Sequence, residues 1–120
     1  MGTIHIKRIY AAPEPEDGCR VLIDRLWPRG VSRQTADLDL WLKDIAPSPD
    51  LRRWFAHDPA RFDAFRQKYR DELAHNTDVV EQLLGRAKEQ NITLLYAARD
   101  PVMNHAAVLA EFLAGVRKRT

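Results

Sequence analysis

Apolar and polar positions alternate along Ile4-His5-Ile6-Lys7-Arg8-Ile9-Tyr10, the pattern of a strand with one buried face. Val21-Leu22-Ile23 is instead an unbroken apolar run, as in a strand covered on both faces, and belongs at the centre of a sheet. Ile92-Thr93-Leu94-Leu95-Tyr96-Ala97-Ala98 reads the same way. Between and after these runs the period changes to that of helices. Thr35 caps a helix carrying Leu38, Trp41, Leu42 and Ile45, which Pro47 stops. Ser48-Pro49 then opens a short helix with Leu51, Trp54 and Phe55, because proline lacks only an N–H that the first helical position leaves unpaired anyway. Asp58-Pro59 opens a third, with Phe62, Phe65, Tyr69 and Leu73 on one stripe, and Thr77 a fourth, with Val80, Leu83, Leu84 and Ala87 facing inward. Asn91 ends that helix in the left-handed conformation, and Asn104 caps the last one, with Val108, Leu109, Phe112, Leu113 and Val116 on its inner face.

Strands separated by helical segments of this length predict an α/β chain. The expectation is a single domain over residues 1–120, with a small, mainly parallel sheet of three to five strands and helices packed on it. Ala11 to Gly18, rich in proline and acidic residues, reads as an exposed loop whose charges are solvated.

Composition narrows the function classes. No run of eighteen apolar residues is present, and the N-terminus lacks the continuous apolar centre of a secretory signal, so a cytoplasmic protein without membrane partners is expected. Cys19 is the sole cysteine and the four histidines show no ligand spacing, so neither a disulfide, a metal nor any cofactor is expected. A net charge of +2 does not argue for nucleic acid. The kind of cation is more telling: fourteen of the nineteen basic residues are Arg, whose planar fork suits phosphate and carboxylate.

Chemistry is expected where apolar runs turn charged, since open α/β sheets bind ligands beyond the carboxyl ends of their strands. Val21-Leu22-Ile23 runs into Asp24-Arg25, and Leu94-Leu95-Tyr96 into Arg99-Asp100. If the two strands are parallel neighbours, Arg25, Arg29 and Arg99 gather to hold an oxyanion, with Tyr96 at the strand end. Asp24 and Asp100 then orient the guanidiniums or serve as a general base, and His105 transfers a proton beside the cap Asn104. Trp27 offers a stacking surface, Gly30 a tight turn that holds Arg29 over the sheet edge, and His57 a further imidazole.

Four stretches, Arg20 to Ser32, Trp41 to Ser48, Leu51 to Pro59, and Thr93 to Asp100 with Asn104-His105-Ala106, together resemble the YeaO-like family of small bacterial proteins of unknown function. The resemblance covers nearly the whole chain and implies a cytoplasmic α/β domain with no assigned reaction. It maps onto Asp24, Arg25, Trp27, Pro28, Arg29, Gly30, His57, Asp58, Tyr96, Asp100, Asn104 and His105. Ala97-Ala98 departs from it, since a glycine is expected there. The first functional reading is an enzyme or sensor binding an anionic small molecule, a nucleotide or phosphorylated metabolite. The alternative is a nucleic-acid or protein-binding module using Arg52, Arg53, Arg61, Arg66 and Arg70 on exposed helix faces; nucleic acid is not the favoured partner. A third has Trp54 and Phe55 burying between subunits.

Overall fold

Parallel pairing of β1 (Ile4–Arg8), β2 (Cys19–Leu22), β3 (Leu40–Trp41) and β4 (Ile92–Tyr96) in the order β1-β4-β2-β3 sets the two apolar strands side by side at the centre, in a computed structural model that describes residues 2–119. Val21 pairs with Leu94 and Leu22 with Leu95, so both strands end at the same edge. Among the described residues five α-helices accompany the sheet: α1 (Arg33–Ala36), α2 (Pro49–Phe55), α3 (Phe62–Ala74), α4 (Thr77–Glu89) and α5 (His105–Lys118). The expected α/β class with a small parallel sheet and packed helices is what the chain forms.

Alternation along the central strands divides the core in two. Val21, Ile23, Leu94 and Tyr96 face the inner stripes of α2 to α5, among them Phe55, Phe65, Tyr69, Leu83, Leu109 and Leu113. Leu22 and Leu95 point to the opposite face, where Ile9, Ala36, Trp27, Leu38 and Trp41 cover them. The four longer helices thus share one face, and the segment after β2 folds over the other.

That segment is the main departure from expectation. No helix runs from Thr35 to Ile45: Ser32 caps the single turn α1, Asp37 ends it at φ 47°, Leu40–Trp41 forms β3, and Lys43–Ile45 is a 3-10 turn. The reason is tertiary. Arg20, buried in β2, donates from its guanidinium to the carbonyls of Ala36 and Asp37, and its own N–H donates to Asp39 Oδ2 at 2.8 Å. Leu40 and Trp41 then pair with Val21 and Leu22, and backbone pairing at the sheet edge outweighs helical propensity.

The acidic loop is not wholly solvated either. Asp17 is buried and bonds Arg20 Nη1 at 2.6 Å and Lys7 Nζ at 3.1 Å. Burial works to raise its pKa, but the Glu14 amide, Lys7 and Arg20 outweigh that and hold it below the usual carboxylate value. Asn91 does not adopt the left-handed conformation. Its side chain accepts from Thr3 N–H at 3.0 Å, and its carbonyl accepts from Cys19 N–H at 2.8 Å, tying the starts of β1, β2 and β4 together. Gly18, at φ 63°, makes that approach possible, because a Cβ there would lie 2.2 Å from the Asn91 carbonyl oxygen.

Candidate anion-binding cleft

Three loops meet at the carboxyl edge of the sheet: those after β2, after β4, and around α2. The β4 loop is pinned from β1, as Arg8 donates to the carbonyls of Ala98 (2.9 Å) and Ala97 (3.3 Å). Asp100 Oδ1 then accepts from the N–H groups of Val102 (2.9 Å) and Met103 (3.0 Å), which holds its carboxyl below the usual range. Asn104 closes the loop: its Nδ2 donates to Asp100 O, and its Oδ1 accepts from Ala107 N–H to cap α5, both at 2.9 Å. The α2 loop is fixed by Ser48, which caps the helix and donates from its hydroxyl and amide to Glu72 of α3.

Between these loops lies a cleft of about 730 Å³. Its walls carry Asp24, Arg25, His57, Arg99, Asp100, Asn104 and His105, together with Arg52 and Arg53 of α2. Phe55 and Phe65, stacked with ring centroids 4.3 Å apart, and the prolines 47 and 49 supply its apolar surface.

At its base, Asp24 Oδ2 accepts from Ala97 N–H at 3.0 Å, joining the ends of β2 and β4. Asp24 Oδ1 sits 2.9 Å from His105 Nε2, while the ring N–H is aligned on Ile23 O at 3.3 Å. Two acceptors facing Nε2 require a proton there, which fixes the tautomer of a neutral ring. Both side chains are half-buried. Among the described residues Oδ1 has no aligned hydrogen bond, nor has Arg25 Nε, although Arg25 Nη2 reaches the carbonyls of Ala46 (3.3 Å) and Pro47 (3.4 Å). No carboxylate stands within ion-pair distance of Arg25, Arg52 or Arg99 among the described residues, whereas Arg53 pairs with Asp50.

Several other expected residues lie elsewhere. Trp27 covers Leu22 and Leu95 on the far face of the sheet, donates to Val31 O at 2.7 Å and meets Trp41 edge-on. Gly30 does take a positive φ, 77°, but neither it nor Arg29 lines the cleft; Arg29 O instead accepts from the Tyr10 hydroxyl at 2.9 Å. Tyr96 is buried in the main core, where burial pushes its hydroxyl pKa up against the opposing pull of Arg8 and Asn104. The loop after β2 divides after Arg25, whose neighbour Leu26 is exposed. Arg52 and Arg53 were legible only as helix-surface charge, because nothing local says that α2 lies over the strand ends. Of their supposed companions, Arg66 and Arg70 approach Glu111, and Arg61 bonds Trp54 O. Phe55 is buried in this chain's own core rather than left for a subunit interface.

An open parallel sheet with an Arg-bearing, largely apolar-walled cleft beyond its carboxyl edge places the chain in the α/β class. The chain belongs to the YeaO-like family of uncharacterised proteins: a family model described as "Inactive DUF488-N3 subclade" matches residues 3–120. It is 44% identical over 110 residues to the uncharacterized protein YeaO of Escherichia coli, covering 92% of this chain and 96% of that one. It is also 39% identical over 112 residues to the uncharacterized protein Rv3073c of Mycobacterium tuberculosis, covering 93% and 94%. No solved structure matches it. Among the described residues, no helix is long and apolar enough to cross a membrane.

Proposed function

We propose that the cleft binds a small anionic ligand, a nucleotide or a phosphorylated metabolite. The observation that carries this reading is the set of three guanidiniums, Arg25, Arg52 and Arg99, that line one cavity without a carboxylate partner among the described residues. An oxyanion in the cavity that accepts from the forked N–H groups of these side chains gains charge-assisted, paired hydrogen bonds. The two acidic residues of the wall do not supply it: Asp100 is engaged by backbone N–H groups and Asp24 by Ala97 and His105. A volume of about 730 Å³ lies in the ordinary range for small-molecule sites, roughly 300–1,000 Å³.

The word "inactive" in the description of the matched family model favours binding over turnover. On that reading the Asp24–His105 pair shapes the base of the cleft and offers a ligand hydroxyl or amine hydrogen-bonding partners. Thermal-shift titration with inorganic phosphate and nucleoside monophosphates tests the proposal. Stabilisation of the wild type that is lost in Arg25→Ala and Arg99→Ala supports it; equal responses in all three proteins sink it.

A further inference from the structure

Resting on the anion-binding reading, we propose that His57 is a ligand-contacting residue of the cleft, where its imidazole hydrogen-bonds a phosphoryl oxygen beside Arg52 and Arg53. The turn that presents it is unusual for its sequence. Asp58 N–H donates to Phe55 O at 2.9 Å, closing a four-residue turn whose two central residues, Ala56 and His57, lie at φ 47° and 56°. Positive φ at both positions is the pattern of a type I′ turn, which strongly favours Asn-Gly because a Cβ is strained there. One left-handed residue is explained by the end of α2, where Ala56 N–H donates to Arg52 O. The second is not required by the cap.

The chain therefore holds two side-chain-bearing residues in a conformation suited to glycine, at the rim of its Arg-lined cleft. Such outliers persist where their surroundings or their function demand them. Packing holds His57 only lightly: the residue is exposed, its ring makes one tilted contact with Phe55 at 5.9 Å between centroids, and no hydrogen bond or ion pair engages its imidazole among the described residues. What the side chain does have is a place in the cleft wall, shared with the two arginines one turn earlier. An imidazole N–H there adds a directional donor to the charge of the guanidiniums, a combination that suits a phosphomonoester.

The test separates strain from contact. Ala56→Gly removes a strained Cβ and keeps the imidazole; His57→Gly removes both strain and imidazole; His57→Asn keeps a residue that tolerates positive φ and carries an amide donor. Without ligand, each glycine variant is expected to raise the thermal midpoint by about 3 °C or more. With inorganic phosphate as the probe, Ala56→Gly is expected to bind like the wild type, His57→Gly at least about tenfold more weakly, and His57→Asn in between. Phosphate affinity in His57→Gly equal to that of the wild type overturns the contact. Unchanged midpoints in both glycine variants overturn the argument from strain. A wild type that neither phosphate nor a nucleoside monophosphate stabilises removes the anion-binding reading itself, and this inference with it.

Discussion

Asp24 and His105 meet across the carboxyl edge of the sheet, with Asp24 Oδ1 2.9 Å from His105 Nε2 although the two residues come from different ends of the chain. The contact joins the end of β2 to the first residue of α5, and Asp24 Oδ2 adds a bond to Ala97 beyond β4. It is the joint around which the cleft is built. Its chemistry makes two effects of one substitution run in opposite directions. In Asp24→Asn the amide carbonyl can still accept from Ala97, but its NH₂ then faces the His105 N–H, donor against donor. Urea unfolding is expected to show a loss of roughly 1–3 kcal/mol. Because the same change removes a negative charge from a cationic cleft, phosphate binding is expected to tighten. Weaker binding in a folded Asp24→Asn protein would show that the carboxylate itself is needed by the ligand.

Asp100 offers a cleaner version of that experiment. Its Oδ1 accepts two backbone N–H groups, a role an Asn carbonyl can also fill, so Asp100→Asn is expected to leave the midpoint of unfolding nearly unchanged and to strengthen phosphate binding. Isothermal titration of the two proteins side by side measures this. A weaker Asp100→Asn complex would count against the view that the anion avoids this carboxylate.

The Asp17–Arg20 pair is the most buried ionic contact among the described residues, with 8% and 4% of the side chains exposed. Removing one partner strands the other in the core, and Asp17→Ala is expected to cost about 3–5 kcal/mol in urea unfolding. Its pH dependence has a definite sign. Because the folded-state pKa of Asp17 is depressed, its contribution is fully present above the unfolded value near 4 and is lost as pH falls through the lower folded value. Stability measured from pH 6 to pH 2 is expected to fall over that acid window in the wild type and less steeply in Asp17→Asn. Parallel curves for the two proteins would assign the acid sensitivity to other carboxylates.

Asn104 couples the β4 loop to α5 through both ends of its amide. Asn104→Ala removes a helix cap and a loop tie together, and a destabilisation of about 1–2 kcal/mol is expected by chemical denaturation. His105 is the next residue, so phosphate affinity is expected to drop as well. Asn104→Asp keeps the cap but sets a buried carboxylate oxygen against the Asp100 carbonyl in place of the Nδ2 donor, and is expected to recover little of the stability.

The elements themselves were legible wherever local chemistry was strong. Ser48-Pro49, Asp58-Pro59 and Asn104 cap turns or helices as their side chains predict, and Phe62, Phe65, Tyr69 and Leu73 form the stripe that a period of 3.6 requires. The segment from Thr35 to Ile45 was misread for an equally physical reason. Its apolar spacing suits a helix, but the buried guanidinium of Arg20 claims the carbonyls of Ala36 and Asp37, and β2 offers Leu40 and Trp41 an edge to pair with. A partner distant in the chain decided the conformation.

The sequence by itself determined that two apolar strands end in charge, at Asp24-Arg25 and Arg99-Asp100, because alternation and burial are written residue by residue. Only the tertiary structure decided that these ends are neighbours, that α2 brings Arg52, Arg53 and His57 over them, and that Trp27, Arg29 and Gly30 turn away. Parallel order and helix placement depend on which distant surfaces bury one another, and that information is shared among many side chains rather than carried by any one stretch.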